Sequence, residues 1–128
     1  MKLSHHQQLF SRDIAKLILK AHSLGINLTF GEAYRTEDQQ QLYYHGKTIC
    51  NNNGIITIIN DRKRSKTMKS NHLRRLAVDF NFFINGVLTY KHPLIDKLGK
   101  YWESLSPLNR WGGNFKNFYD APHFERNA

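Results

Sequence analysis

Cysteine is almost missing from this chain. Cys50 is the only one among 128 residues, so no internal disulfide can form, and the composition suits a reducing compartment. No apolar run approaches the length of a membrane-spanning helix. The start, Met1-Lys-Leu-Ser-His-His-Gln-Gln8, lacks the apolar core of a signal peptide, which predicts synthesis and folding in the cytoplasm. There is no glycine-rich phosphate loop and no nucleophile-elbow sequence, which argues against nucleotide cradling and Ser/His/Asp hydrolysis. Cys50 sits beside an Asn-rich turn and reads as incidental. Nothing resembles a linker, so residues 1–128 are expected to form one domain. Acidic residues are few: 10 Asp and Glu stand against 19 Lys and Arg, a formal charge of +9. That balance attracts polyanions and says nothing of fold. Nucleic acid and anionic envelope polymers are both electrostatic matches. The run Arg62-Lys-Arg-Ser-Lys-Thr-Met-Lys69 could serve either, or be a solvated loop.

What is present is organised by period. From Ser4 to Leu24, Phe10, Ile14, Leu17, Ile18 and Ala21 recur at helical spacing, and Gly25 suits the C-terminal cap. Adjacent His5 and His6 point in different directions on that helix and read as surface residues. Ile26 to Phe30 alternates as a strand. Thr36-Glu-Asp-Gln39 is a capping-box pattern, predicting a short helix through Tyr44 that ends near Gly46. Residues 47–69 are expected to be a long, mobile excursion, with turn chemistry at Asn51-Asn-Asn-Gly54 and one strand at Ile55–Ile59. Asn85-Gly86 signals a type I′ hairpin. Pro93 opens a helix carrying Leu94, Ile95, Leu98, Tyr101, Trp102 and Leu105. A last strand is expected over Pro122–Glu125.

The stretch Ser70-Asn-His-Leu-Arg-Arg-Leu-Ala-Val-Asp-Phe-Asn-Phe-Phe83 carries the chemistry. Leu76, Val78 and Phe80 alternate with Ala77, Asp79 and Asn81, a strand period with a carboxylate inside it. Strands deplete Asp, and a charge removed from water needs a partner or a metal. His72 lies just before the strand. Each residue alone reads as an edge-strand Asp or a loop His. A second cluster, Asp120-Ala-Pro-His-Phe-Glu125, changes the balance.

Together these residues resemble the zinc D-Ala-D-Ala carboxypeptidase/L-alanyl-D-glutamate endopeptidase family, which includes phage endolysins. The matching pieces are Ser70-x-His72-(six residues)-Asp79, Trp111-Gly-Gly, Asp120-x-x-His123, and an upstream Tyr34-Arg35-Thr36-x-x-x-Gln40. The likeness spans about Gly31 to Glu125. Arg75 stands where the family usually has glycine. The resemblance implies an α+β fold, a small antiparallel sheet flanked by helices with the zinc site on the sheet. It implies one Zn²⁺ held by His72, Asp79 and His123, a donor set suited to that ion. Asp120 matches the family's acid/base, with Glu125 as the rival. Arg35 is implied to contact substrate or its developing oxyanion. The bland alternative pairs Arg35 with Glu32 or Glu37. Ser70 either orients a ligand or makes an ordinary loop hydrogen bond.

The function expected is therefore a peptidoglycan-degrading zinc peptidase, an L-alanyl-D-glutamate endopeptidase of the phage-lysin type acting on stem peptides. It would be a monomer, made in the host bacterium's cytoplasm and acting on the wall after release, with no membrane insertion and no nucleic-acid partner. A D,D-carboxypeptidase or D-Ala-D-Ala dipeptidase is the alternative within the class. A basic nucleic-acid-binding module is the alternative outside it.

Overall fold

In the computed structural model, which describes residues 1–128, the amphipathic opening segment forms helix α1 (Leu3–Ser23). It buries Phe10, Leu17 and Ala21 and turns at Gly25 into strand β1 (Ile26–Phe30). The Thr36 hydroxyl caps helix α2 (Glu37–His45) by accepting from the Gln39 amide at 3.2 Å. That is one half of the expected capping box; the Gln39 side chain makes no return bond. Gly46, in the left-handed conformation, ends the helix.

The next segment corrects the sequence reading. In place of one strand in a long excursion there are two, β2 (Lys47–Asn52) and β3 (Ile55–Asn60), paired antiparallel around Asn53-Gly54. β2 escapes notice in the sequence because Lys-Thr-Ile-Cys-Asn-Asn has no apolar alternation. Its strand conformation comes from pairing with β3.

The metal-motif segment leads into β4 (Ala77–Ile84). Asn85 and Gly86, both at positive φ, turn it into β5 (Val87–Thr89) as expected. Helix α3 (Pro93–Ser104) follows, capped by the His92 ring accepting from the Leu94 amide at 3.1 Å. A short β6 (Asn109–Trp111), not foreseen, runs into a 3-10 turn, Gly112–Asn114. The last strand, β7 (His123–Arg126), begins one residue later than expected.

The main sheet has the order β1-β4-β7-β6, with β5 also on β4, and every pairing is antiparallel. The fold is thus α+β, as expected. Side chains alternate across a strand, so Leu76, Val78, Phe80 and Phe82 of the β4 segment share one face, joined by Phe124 of β7. Helices α1 and α3 cover that face. Trp102 sits at its centre, edge-on to Phe10 at 5.7 Å and to Phe124 at 6.0 Å. Its indole N–H donates to the Arg110 and Glu125 carbonyls, so the large ring is buried without an orphaned donor. Asp79 and His123 alternate with this core set and therefore face the side the helices leave open. No helix is long and apolar enough to cross a membrane.

Candidate metal centre

Asp79 is held by its backbone before its side chain does anything. Its N–H donates to the Glu32 carbonyl and its own carbonyl accepts from Gly31, both at 2.8 Å. A Cβ on Gly31 would stand 3.1 Å from the Asp79 carbonyl oxygen, so glycine permits this close pass. On the other edge, β4 pairs with β7 in a register that sets Asp79 directly opposite His123. Opposed residues point to the same face, so the carboxylate and the imidazole meet.

His72 arrives from a turn. The Ser70 hydroxyl accepts from the His72 backbone amide at 3.2 Å; it holds the turn and does not touch the ring. Arg75, in the position where the resembled family has glycine, adopts φ 56°. The turn thus holds a left-handed non-glycine residue at a cost of about 1–2 kcal/mol. The Arg75 guanidinium lies 4.1 Å from the Tyr34 ring centroid, an exposed cation–π contact that returns about 0.5–1 kcal/mol.

The three side chains converge. His72 Nε2 lies 3.4 Å from one Asp79 oxygen and His123 Nδ1 lies 3.2 Å from the other. One ligand atom from each of the three falls within 4.8 Å of the others. Ligand atoms about 2.0–2.2 Å from a shared tetrahedral centre stand about 3.3 Å apart, so the donor set fits a zinc ion. The remote ring nitrogens fit as well. His72 Nδ1 is 2.9 Å from the Ala33 carbonyl, which can only accept, so that nitrogen carries a proton and Nε2 is the ring atom turned to the centre. His123 Nε2 donates to Glu125 at 2.6 Å. Arg110 in turn donates to Glu125 through Nε at 2.8 Å and Nη2 at 2.5 Å. Remote N–H groups held by a carbonyl and a carboxylate are how metal-binding histidines are aimed.

The charges follow from these contacts. Burial raises the Asp79 carboxyl, but the hydrogen bonds and charges of His123 and His72 outweigh it and hold the group far below the carboxylate range. Burial lowers His123, yet Asp79 and Glu125 together raise it to about 9. Burial raises Glu125, but the His123 bond and charge, with Arg110, bring it to about 2.

These directions predict opposite pH behaviour with and without metal. His123 is raised from 6.5 to about 9, so its contribution is complete below pH 6.5 and is lost as pH rises through about 9. Asp79 and Glu125 are depressed from 3.8 and 4.5; their contribution is complete above those values and fades toward about pH 2. The metal-free protein should therefore be most stable between about pH 5 and 6.5. Zinc requires His123 without its Nδ1 proton, so the rise in Tm on adding zinc should grow from pH 6 to 9. Thermal scans across that range check it; a zinc increment independent of pH would contradict the ligand role of His123.

The centre lies in a cleft of about 1500 Å³, which Asp120, Arg35, Ser70 and Glu125 also line. The Asp120 amide donates to the Gly112 carbonyl at 3.0 Å, and the Asp120 carbonyl accepts from His123 at 3.1 Å. A side chain on Gly112 would collide with the Asp120 carbonyl oxygen. The Asp120 carboxyl itself accepts no hydrogen bond from the protein. Burial, aided by the Asp79 charge, pushes it above the usual range against the pull of His123, His72 and Arg35.

Arg35 pairs through Nε with Glu32, one of the two partners weighed from sequence, yet it also lines the cleft. Its Nη1 donates to Gln40 at 2.7 Å and to Ser70 at 3.4 Å, and its plane lies 4.9 Å from the Tyr43 ring centroid. Gln40 is fully buried and donates onward to Ser65 at 2.8 Å and to the Thr67 carbonyl at 2.5 Å. Sequence reasoning weighed Glu32 as a partner of this guanidinium and signalled Gln40 by its place in the arginine segment, but it missed Tyr43 and the cage that the three form together. It also missed Arg110. Glu125, weighed as a base, lies behind the His123 ring and grips its remote nitrogen.

Comparison with known proteins bears on family and fold. A family model described as D-alanyl-D-alanine carboxypeptidase matches residues 63–126, which include His72, Asp79, Asp120 and His123. The fold is similar to the crystal structure of the L-Ala D-Glu endopeptidase ChiX of Serratia marcescens, with a TM-score of 0.61 at 19% identity over 98% of this chain and 86% of that one. The chain belongs to the D-alanyl-D-alanine carboxypeptidase family of M15-type metallopeptidases.

Proposed function

We propose that this metallopeptidase is a zinc enzyme that cuts peptidoglycan stem peptides between L-alanine and D-glutamate, as a phage-type endolysin does. The observation that carries the reading is the convergence of His72, Asp79 and His123 beside an unpartnered Asp120 carboxyl. Arg35, Arg64, Lys66, Lys69 and Lys116 line the same cleft, and stem peptides bring free carboxylates to such cations. The net charge of +9 suits approach to anionic envelope polymers. On this reading the protein is made in the host bacterium's cytoplasm and meets the wall after release. Family membership sets the nucleic-acid-module alternative aside.

When bound at His72, Asp79 and His123, a zinc ion supplies Lewis acidity that brings the pKa of a water molecule from about 16 to about 7. Asp120 takes the water's proton and later delivers it to the leaving amine. Its raised pKa suits a group that must hold that proton between the two steps. Arg35, immobilised by Glu32 and Gln40, presents its remaining donor to the carbonyl oxygen as charge develops there. Glu125 and Arg110 keep the His123 ring turned toward the centre.

Mass analysis of fragments released from purified peptidoglycan tests the reading. New peptides with an amino-terminal D-glutamate are expected. Release of D-alanine alone would assign the D,D-carboxypeptidase activity instead, and no release by zinc-loaded protein would sink both. Arg35→Lys keeps the charge but loses the paired donors. Turnover should fall by about 10²-fold, a larger loss than any in stability. An unchanged kcat would reduce Arg35 to its ion pair with Glu32.

A further inference from the structure

The β2–β3 hairpin carries a cluster of apolar side chains that have no cover. An isolated two-stranded hairpin is marginal in water, and this one carries five exposed isoleucines: 49, 55, 56, 58 and 59. Register sorts them by face. Thr48 and Cys50 are half-buried and share their face with Ile55 and Ile59. The opposite face is free. It pairs Ile49 with Ile58 and Asn51 with Ile56, and Lys47 with Asn60 at its root. There Ile49 is 56%, Ile56 59% and Ile58 66% exposed. None of these residues lines the catalytic cleft.

Within the hairpin the charges are of one sign, and Asp61 at its root is taken up by Arg64 at 3.1 Å. Between Lys47 and Asn60 there is no acidic residue. The Asp61 amide donates to the Gly46 carbonyl at 2.9 Å, so the basic run beginning at Arg62 leaves directly from the root of the hairpin. An apolar ribbon about 20 Å long, with Lys47 on the same face and Arg62 and Lys63 at its base, matches a surface that is both apolar and anionic. Contiguous exposed apolar patches rimmed by polar groups mark interaction sites, and clustered Lys and Arg favour negatively charged lipid headgroups.

We propose that the free face of β2–β3 docks on an anionic lipid bilayer, with Ile49, Ile56 and Ile58 entering the headgroup–acyl boundary and the basic root pairing with lipid phosphates. The Asn51-Asn-Asn-Gly54 tip is polar, so the ribbon lies along the surface and does not penetrate tip first. This is peripheral docking, distinct from the membrane insertion that the sequence did not predict, and it is independent of which peptide bond the enzyme cuts.

Vesicles of phosphatidylcholine, with and without phosphatidylglycerol, provide the test. The wild type should sediment with the anionic vesicles and not with the neutral ones. The triple variant Ile49→Ser, Ile56→Ser, Ile58→Ser should bind them at least about tenfold more weakly, with unchanged turnover of soluble stem peptides. Trp102 and Trp111 are buried, so the indole introduced by Ile56→Trp reports the local environment, and its emission should shift to the blue on anionic vesicles. Three outcomes would overturn the proposal. One is no binding to anionic vesicles. Another is binding that the triple variant leaves intact, which would mean charge alone. The third is a dimer of the wild type that the same variant dissociates, which would give this face to a second copy of the chain.

Discussion

Asp120→Asn will keep zinc near one ion per chain and lose about 10²–10⁴-fold in turnover, the usual contribution of a positioned proton-transfer group. The substitution is nearly isosteric, and the Asp120 contacts that shape the site are backbone contacts, to Gly112 and His123. Neither changes. What is lost is a carboxyl free of protein partners and raised by burial, which is the state a proton carrier needs. Asp120→Glu should retain part of the activity, because it alters reach and keeps the acid. Glu125→Gln separates the two carboxyls. Glu125 is tied to His123 Nε2 and to Arg110, so its loss should weaken zinc binding by about 10–100-fold and spare turnover once zinc is saturating. Zinc titration and single-turnover rates on both variants decide the matter. A fully active Asp120→Asn, with the rate loss moved to Glu125→Gln, would reverse the two roles.

His72→Ala, Asp79→Ala and His123→Ala should each abolish hydrolysis and weaken zinc by more than the about 10–100-fold that an outer partner costs. Asp79 matters doubly, since it lies within 3.4 Å of both imidazoles and its loss leaves them facing each other without an anion between them. Chelation should inactivate the wild type, and added zinc should restore it. Metal analysis after dialysis gives the content, and far-ultraviolet circular dichroism shows whether the apo variants stay folded. Activity retained by any variant with an empty centre would end the metal assignment.

The parts of this site that could be read from sequence are those written in local period and spacing. The β4 strand shows itself because Leu76, Val78 and Phe80 alternate with a misplaced carboxylate. Asn85-Gly86 dictates its turn through its own φ preferences. What stayed hidden depends on partners distant in the chain. The grip of Arg110 on Glu125 exists only because β6 and β7 pair in the register that sets the two residues opposite each other. Gln40 looks like a surface amide on a polar helix; its burial follows from the 65–67 segment folding over it. β2 is polar and becomes a strand through β3. The left-handed Arg75 shows the converse: the turn takes a positive φ although no glycine in the sequence asks for it.

The opposition of Asp79 and His123 across β4 and β7 would give an ion bound there a part in assembly as well as in chemistry. His123 lies 44 residues beyond Asp79, so a chain whose β7 has not docked offers only two of the three donors. The free energy of metal capture would therefore be delivered to the closing of that edge of the sheet. Register is proofread at the same time. A slip of one residue would turn His123 inward and carry Phe124 out over the centre, a pairing the ion cannot reward. Stripping the metal should accordingly loosen one cooperative unit ahead of the rest, with amide exchange quickening along β6 and β7 while the α1–α3 core stays protected.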